Sequence, residues 1–120
     1  MPFETRRIEG DEFVLSRFGG LLTLAELEAG RRQIKDVTRQ CRLNKVLVDL
    51  RGVQPAVSTL ELIEFNRSHA TELPNIKIAV LVDDTLRGDA EFSKNVATSV
   101  GVNYGIFFDE ESAKKWLIQE

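Results

Sequence analysis

Histidine and cysteine are nearly missing from this sequence: His69 and Cys41 are the single residues of their types among 120. One cysteine excludes an internal disulfide and leaves a cysteine-based metal site without ligands. One histidine with no readable nucleophile and orienting partner leaves no catalytic set. No apolar run approaches the roughly 20 residues needed to span a bilayer. The opening stretch MPFETRRIEGDEF also lacks the apolar core of a signal peptide. Concentrated positive charge is absent as well: the net charge is -3, and Arg6-Arg7 and Arg31-Arg32 read as solvated faces. These absences point to a cytoplasmic chain with no integral membrane segment and no general grip on nucleic acid.

What is present reads as one domain over residues 1–120. Phe3 to Ile8 and Glu12 to Phe18 are β-prone runs around Glu9-Gly10-Asp11, a hairpin signal. In the second run Phe13, Leu15 and Arg17 alternate with Val14, Ser16 and Phe18. Thr23-Leu-Ala-Glu26 is a capping-box pattern. It opens a helix whose Leu27, Ile34, Val37 and Cys41 recur on one face. Gly30 falls on that face, where it permits close approach to a sheet, and Cys41 reads as packed core. Lys45 to Leu50, Ile76 to Val82 and Val102 to Phe108 are nearly continuous apolar runs, the pattern of strands buried on both faces. Helical segments run from Thr59 to about Leu73, from Asp89 to Val100, and from Glu110 to Ile118 behind an Asp109 cap. The order is β-β-α-β-α-β-α-β-α, an α/β fold with a mixed sheet that opens on a hairpin.

Several residues carry two readings. Ser58-Thr59-Leu60-Glu61 is a capping box, yet a phosphate on Ser58 would also suit a helix N-terminus. Asp49 and Asp83-Asp84 stand at strand ends, where ligands of open α/β sheets gather. They read as turn and loop caps more readily than as a metal site. His69 reads as a boundary residue making one hydrogen bond. The helix from Asp89 has a wide apolar face with Phe92 at its edge, suited to core packing or to a partner.

Three stretches carry a resemblance: KVLVDLRGV at 45–53, SHATELPNIKIAVLVDD at 68–84 and FFDEESAKKWL at 107–117. In their order they resemble the STAS domain, in particular its small stand-alone group related to the sporulation anti-sigma factor antagonist. That resemblance implies a non-enzymatic regulatory module without a cofactor. It would bind a protein partner, or a second copy of itself, through Arg51, Gln54, Ser58, Thr59 and Glu61. It places Ser58 where regulatory members carry a phosphorylated Ser, with Val57 and Leu60 standing where they have Asp and Gly. The group is also similar to a lipid-transfer fold, which implies an alternative: a carrier of a small apolar ligand in a pocket lined by Phe65, Phe92, Tyr104 and Phe107.

Overall fold

The three apolar runs become neighbouring parallel strands, because a strand with apolar side chains on both faces needs cover on both. The computed structural model describes residues 3–7 and 12–119. In chain order the elements are β1 (Phe3–Arg7), β2 (Val14–Phe18), β3 (Leu21–Thr23), α1 (Leu24–Cys41), β4 (Lys45–Asp49), β5 (Gln54–Ala56) and α2 (Thr59–Arg67). There follow α3 (His69–Glu72), β6 (Lys77–Leu81), α4 (Arg87–Ser99), β7 (Asn103–Phe107) and α5 (Glu110–Ile118). The main sheet has the order β1-β2-β4-β6-β7, antiparallel between β1 and β2 and parallel elsewhere. The β1–β2 pairing is the expected hairpin arrangement; its predicted turn at Glu9-Gly10-Asp11 lies outside the described residues.

Alternation along the strands divides the core in two. Val14, Phe18, Val46, Ile78, Val80 and Tyr104 pack with α1 and α4. Phe13, Leu15, Leu47, Ala79 and Leu81 pack with Ala113 and Leu117 of α5 on the other face. Asp109 caps α5 by accepting from the Ser112 amide at 2.8 Å. The Lys77 ammonium closes the far end by donating to the Trp116 and Gln119 carbonyls.

The structure departs from the sequence reading at three places. The sequence reading assigns no strand to residues 21–23 or to the loop after β4. Instead β3 and β5 form a second, two-stranded parallel sheet, anchored by the buried Leu22 and Val53 on either side of it. The helix expected to run through Leu73 is divided at Ser68. There the Phe65 carbonyl accepts from Ser68 Oγ at 2.8 Å and from Arg31 Nη1 at 2.9 Å, and such side-chain donors compete with the helical backbone bond. Finally, α4 begins at Arg87 rather than Asp89, behind a 3-10 turn over Asp84–Leu86.

Gly30 does what its position on the apolar face required. A Cβ built there would lie 2.3 Å from Phe18 Cζ and 2.5 Å from Cε2, so α1 sits against the Phe18 ring with no room for a methyl group. Gly30→Ala gains about 1 kcal/mol of helix propensity, but overpacking costs about 1–3 kcal/mol. A net loss of stability is expected, read as a lower urea midpoint with an unchanged slope.

Candidate functional site

Two places gather polar groups. The first is the loop after β4. Asp49 is buried, with 4% of its surface exposed, and stands in register with Arg17 of β2. Its carboxylate accepts from Arg17 Nε at 3.2 Å, the Arg51 amide at 3.1 Å, Arg51 Nε at 3.1 Å and Arg51 Nη2 at 3.0 Å. Burial alone would raise its pKa, but the bonds and charge of Arg51, with Arg17, outweigh burial and hold it below the ordinary carboxylate value. Asp83 anchors the next residue, accepting from the Gly52 amide at 3.0 Å. Gly52 has φ of 82°, a conformation that favours glycine. Both strand-end carboxylates therefore tie down the loop. Among the described residues no group of three or more His, Cys, Asp or Glu is placed to hold a metal ion.

Beyond Gly52 the chain turns outward. Gln54, Pro55 and Ala56 are exposed, and so are Ser58, Thr59 and Leu60. Ser58 and Glu61 make the complete capping box: Ser58 Oγ accepts from the Glu61 amide at 3.1 Å, and Glu61 Oε1 accepts from the Ser58 amide at 2.8 Å. The five residues expected to contact a partner thus share one strip. Arg51 is tied to Asp49, and Ser58 and Glu61 to each other. The sequence reading missed two apolar residues of this region. Leu60 in the first turn of α2 is 65% exposed, and Leu21, the register partner of Gln54, is 56% exposed.

The second place is a cavity of about 110 Å3 between one sheet face and α1, α2, α3 and α4. Phe65 and Tyr104 line it as expected. Phe107 does not. It is three residues from Tyr104 in β7, so strand alternation turns it to the opposite face, where its ring packs 5.4 Å from that of Trp116. Phe92 is also outside the lining: α4 turns Ala90 and Ser93 to the cavity, and Phe92 lies one residue, about 100°, around the helix.

His69 and Tyr104 are buried titratable groups lining this cavity, with 6% and 8% of their surface exposed. Arg31 Nη1 reaches His69 Nδ1 at 3.2 Å, Ser68 Oγ at 2.6 Å and the Phe65 carbonyl. The guanidinium carbon sits 4.3 Å from the centre of the Phe65 ring. Arginine only donates, so Nδ1 accepts and the proton of the neutral ring is on Nε2. Burial first, and the Arg31 charge second, lower the His69 pKa from 6.5 to about 3. The sequence reading of His69 as a boundary residue is corrected: α1, α2 and α3 bury it, its Nδ1 bonds Arg31, and nothing in the spacing pointed to Arg31.

A depressed histidine pKa makes stability depend on pH with a definite sign. The unfolded chain takes up a proton below about 6.5 and the folded chain only near 3. Stability is full above 6.5 and is lost as the pH falls toward 3. Between pH 7 and pH 4.5 the loss should be on the order of 2 kcal/mol. Urea unfolding at the two pH values measures it, and His69→Gln should flatten the dependence.

No protein-family model and no curated protein matches the sequence. Solved structures match over most of the chain. One is an uncharacterized protein of the DUF3478 family, with a SpoIIAA-like fold, from Shewanella loihica. It is 15% identical with a TM-score of 0.61, covering 96% of this chain and 91% of that one. The anti-sigma factor antagonist SpoIIAA in its unphosphorylated form is 17% identical with a TM-score of 0.57, covering 95% and 96%. The Bacillus cell fate determinant SpoIIAA in its phosphorylated form is 17% identical with a TM-score of 0.58, covering 95% and 98%. The chain therefore has the SpoIIAA-like, STAS-like fold.

Proposed function

We propose that this chain is a non-enzymatic regulatory module that binds a protein partner through the strip from Arg51 to Glu61. The observation that carries this reading is Leu60, a large aliphatic side chain left 65% exposed beside the Ser58 cap. Leucine gains nothing from water there, and it has the character of an interface residue. Leu21, Pro55 and Ala56 extend the exposed apolar surface at the same end of the sheet. Below them, Asp49 and Asp83 hold the root of the loop rigid, which limits the entropy lost on binding. The similarity to an anti-sigma factor antagonist known in phosphorylated and unphosphorylated forms supports a protein as partner; Ser58 is our candidate for a phosphate because it is exposed at the cap of α2.

The capping box gives that switch a physical form. Ser58 is exposed and its hydroxyl oxygen caps a nine-residue helix. A phosphate there would meet the helix N-terminus favourably, but it would set its charge against the Glu61 carboxylate, now bonded to the Ser58 amide. Glu61 would leave, and the surface beside Leu60 would change. The module works in the cytoplasm, with a second copy of the chain as the other possible partner in kind. The cavity favours a second reading, a carrier of a small apolar ligand, because its lining is largely apolar and it opens to the surface.

Leu60→Asp should abolish capture of the partner that the wild type retains. Ser58→Glu should weaken that capture about tenfold or more. Ser58→Ala should keep it while lowering stability by about 1 kcal/mol through loss of the cap. Retention of full binding by Ser58→Glu would sink the switch, and retention by Leu60→Asp would sink the surface. Sedimentation of the wild type at high concentration separates self-association from binding to a different protein.

A further inference from the structure

We infer that the cavity holds a small, uncharged, mostly apolar molecule, about one aromatic ring in size, whose single hydrogen-bond acceptor is received by Nε2–H of His69. The inference rests on the second reading above, and it names the class of ligand.

Size comes first. The cavity of about 110 Å3 is somewhat smaller than an engineered apolar cavity of about 150 Å3 that takes up benzene. That is room for a ring or a short chain, and it excludes a long acyl chain.

Polarity comes next. Besides the charged Arg31 and Asp89, four neutral polar side chains, Asn66, His69, Ser93 and Tyr104, line the cavity, and each is more than nine-tenths buried. Polar groups at such depth need hydrogen-bond partners. Asn66 uses its amide nitrogen on the Leu62 carbonyl. His69 uses Nδ1 on Arg31, and among the described residues no other hydrogen-bonds its ring. Arg31 thereby fixes the tautomer, and the edge carrying Nε2–H is left for whatever occupies the cavity.

Charge decides the rest. Arg31 is the single cation of the lining. Glu72 and Glu28 are near enough to act on its ionisation, and Asp89 lies at the cavity as well. Arg32 acts on that ionisation too, and three carboxylates against these two guanidinium groups leave no net positive charge for an anionic ligand. The remaining lining groups are neutral, and moving a carboxylate among them would forfeit its hydration.

The test uses three ring compounds of similar size: acetophenone, which is neutral with an acceptor; ethylbenzene, which is neutral without one; and benzoate, which is anionic. His69 is the single histidine, so its imidazole 15N signals in the labelled full chain are assigned without ambiguity. In the free protein they should show the neutral Nε2–H form. Acetophenone should then shift the Nε2 signal saturably and bind about five- to tenfold more tightly than ethylbenzene, the effect of one neutral hydrogen bond. Benzoate should bind most weakly. His69→Phe, which keeps a ring against Phe65, should equalise acetophenone and ethylbenzene. The comparison of probes on the wild type stands even if that variant fails to fold. Saturable binding of none of the three overturns the inference together with the carrier reading. Equal binding of acetophenone and ethylbenzene overturns the role of His69 and leaves the carrier reading standing. Preference for benzoate overturns the uncharged class.

Discussion

The two-sided burial of β4 and β6 is the constraint on which the structure depends. Val46, Leu47, Ala79 and Leu81 are each sealed from solvent, and adjacent residues point to opposite faces of the sheet. Helices must therefore lie on both sides. One side takes α1, α2 and α4, and the other takes α5. Parallel strands then deliver their C-terminal ends to one edge. Asp49 emerges there, still buried and needing donors. Arg17, one strand away in register, and Arg51, two residues on, supply them. The loop that presents Ser58 and Leu60 is thus held at its root by the same sheet that forms the core.

The cavity follows from a different imbalance. The larger helical layer meets the sheet through side chains of unequal size. Gly30 lets α1 lie directly on Phe18, while Ala90 and Ser93 are the small residues that α4 turns inward. Close approach at one end and short side chains at the other leave space between. Arg31 borders that space and ties α1 to the junction of α2 and α3 through Phe65, Ser68 and His69. Its partners are a carbonyl, a hydroxyl and a neutral ring, so it is satisfied without an ion pair. The two candidate sites adjoin, because Val53, Pro55 and Val57 of the loop that carries the exposed strip also line the cavity. One is an exposed strip at the strand ends, built on salt bridges, and the other is an apolar cavity beneath the helices.

Much of this was legible in the chain. Continuous apolar runs announced the central strands, and alternation in 13–18 divided Phe13 and Leu15 from Val14 and Phe18, as the two core clusters do. The Ser58–Glu61 box and the Asp109 cap were readable because capping is local: donor and acceptor are three residues apart. The small sheet of β3 and β5 was not readable, because three-residue strands carry too little pattern and their pairing spans more than 30 residues of sequence. The apolar pocket was half right. Phe65 and Tyr104 met, whereas Phe107 belonged to the other face; its odd separation from Tyr104 was the signal that excluded it.

Taken alone, the sequence determined the order of the main-sheet strands and the helices between them, the capped helix starts and the two-sided burial of the central strands. Each of these depends on residues near one another in the chain, through hydrogen bonds and periodicity of a few positions. Only the tertiary structure decided that Arg17 neutralises Asp49, that Leu60 stays exposed, and that Arg31 holds His69 neutral with its proton on Nε2. Arg31 and His69 are 38 positions apart. No local pattern links them, and packing α1 against α2 and α3 brings them together and removes the water that would otherwise solvate the charged ring.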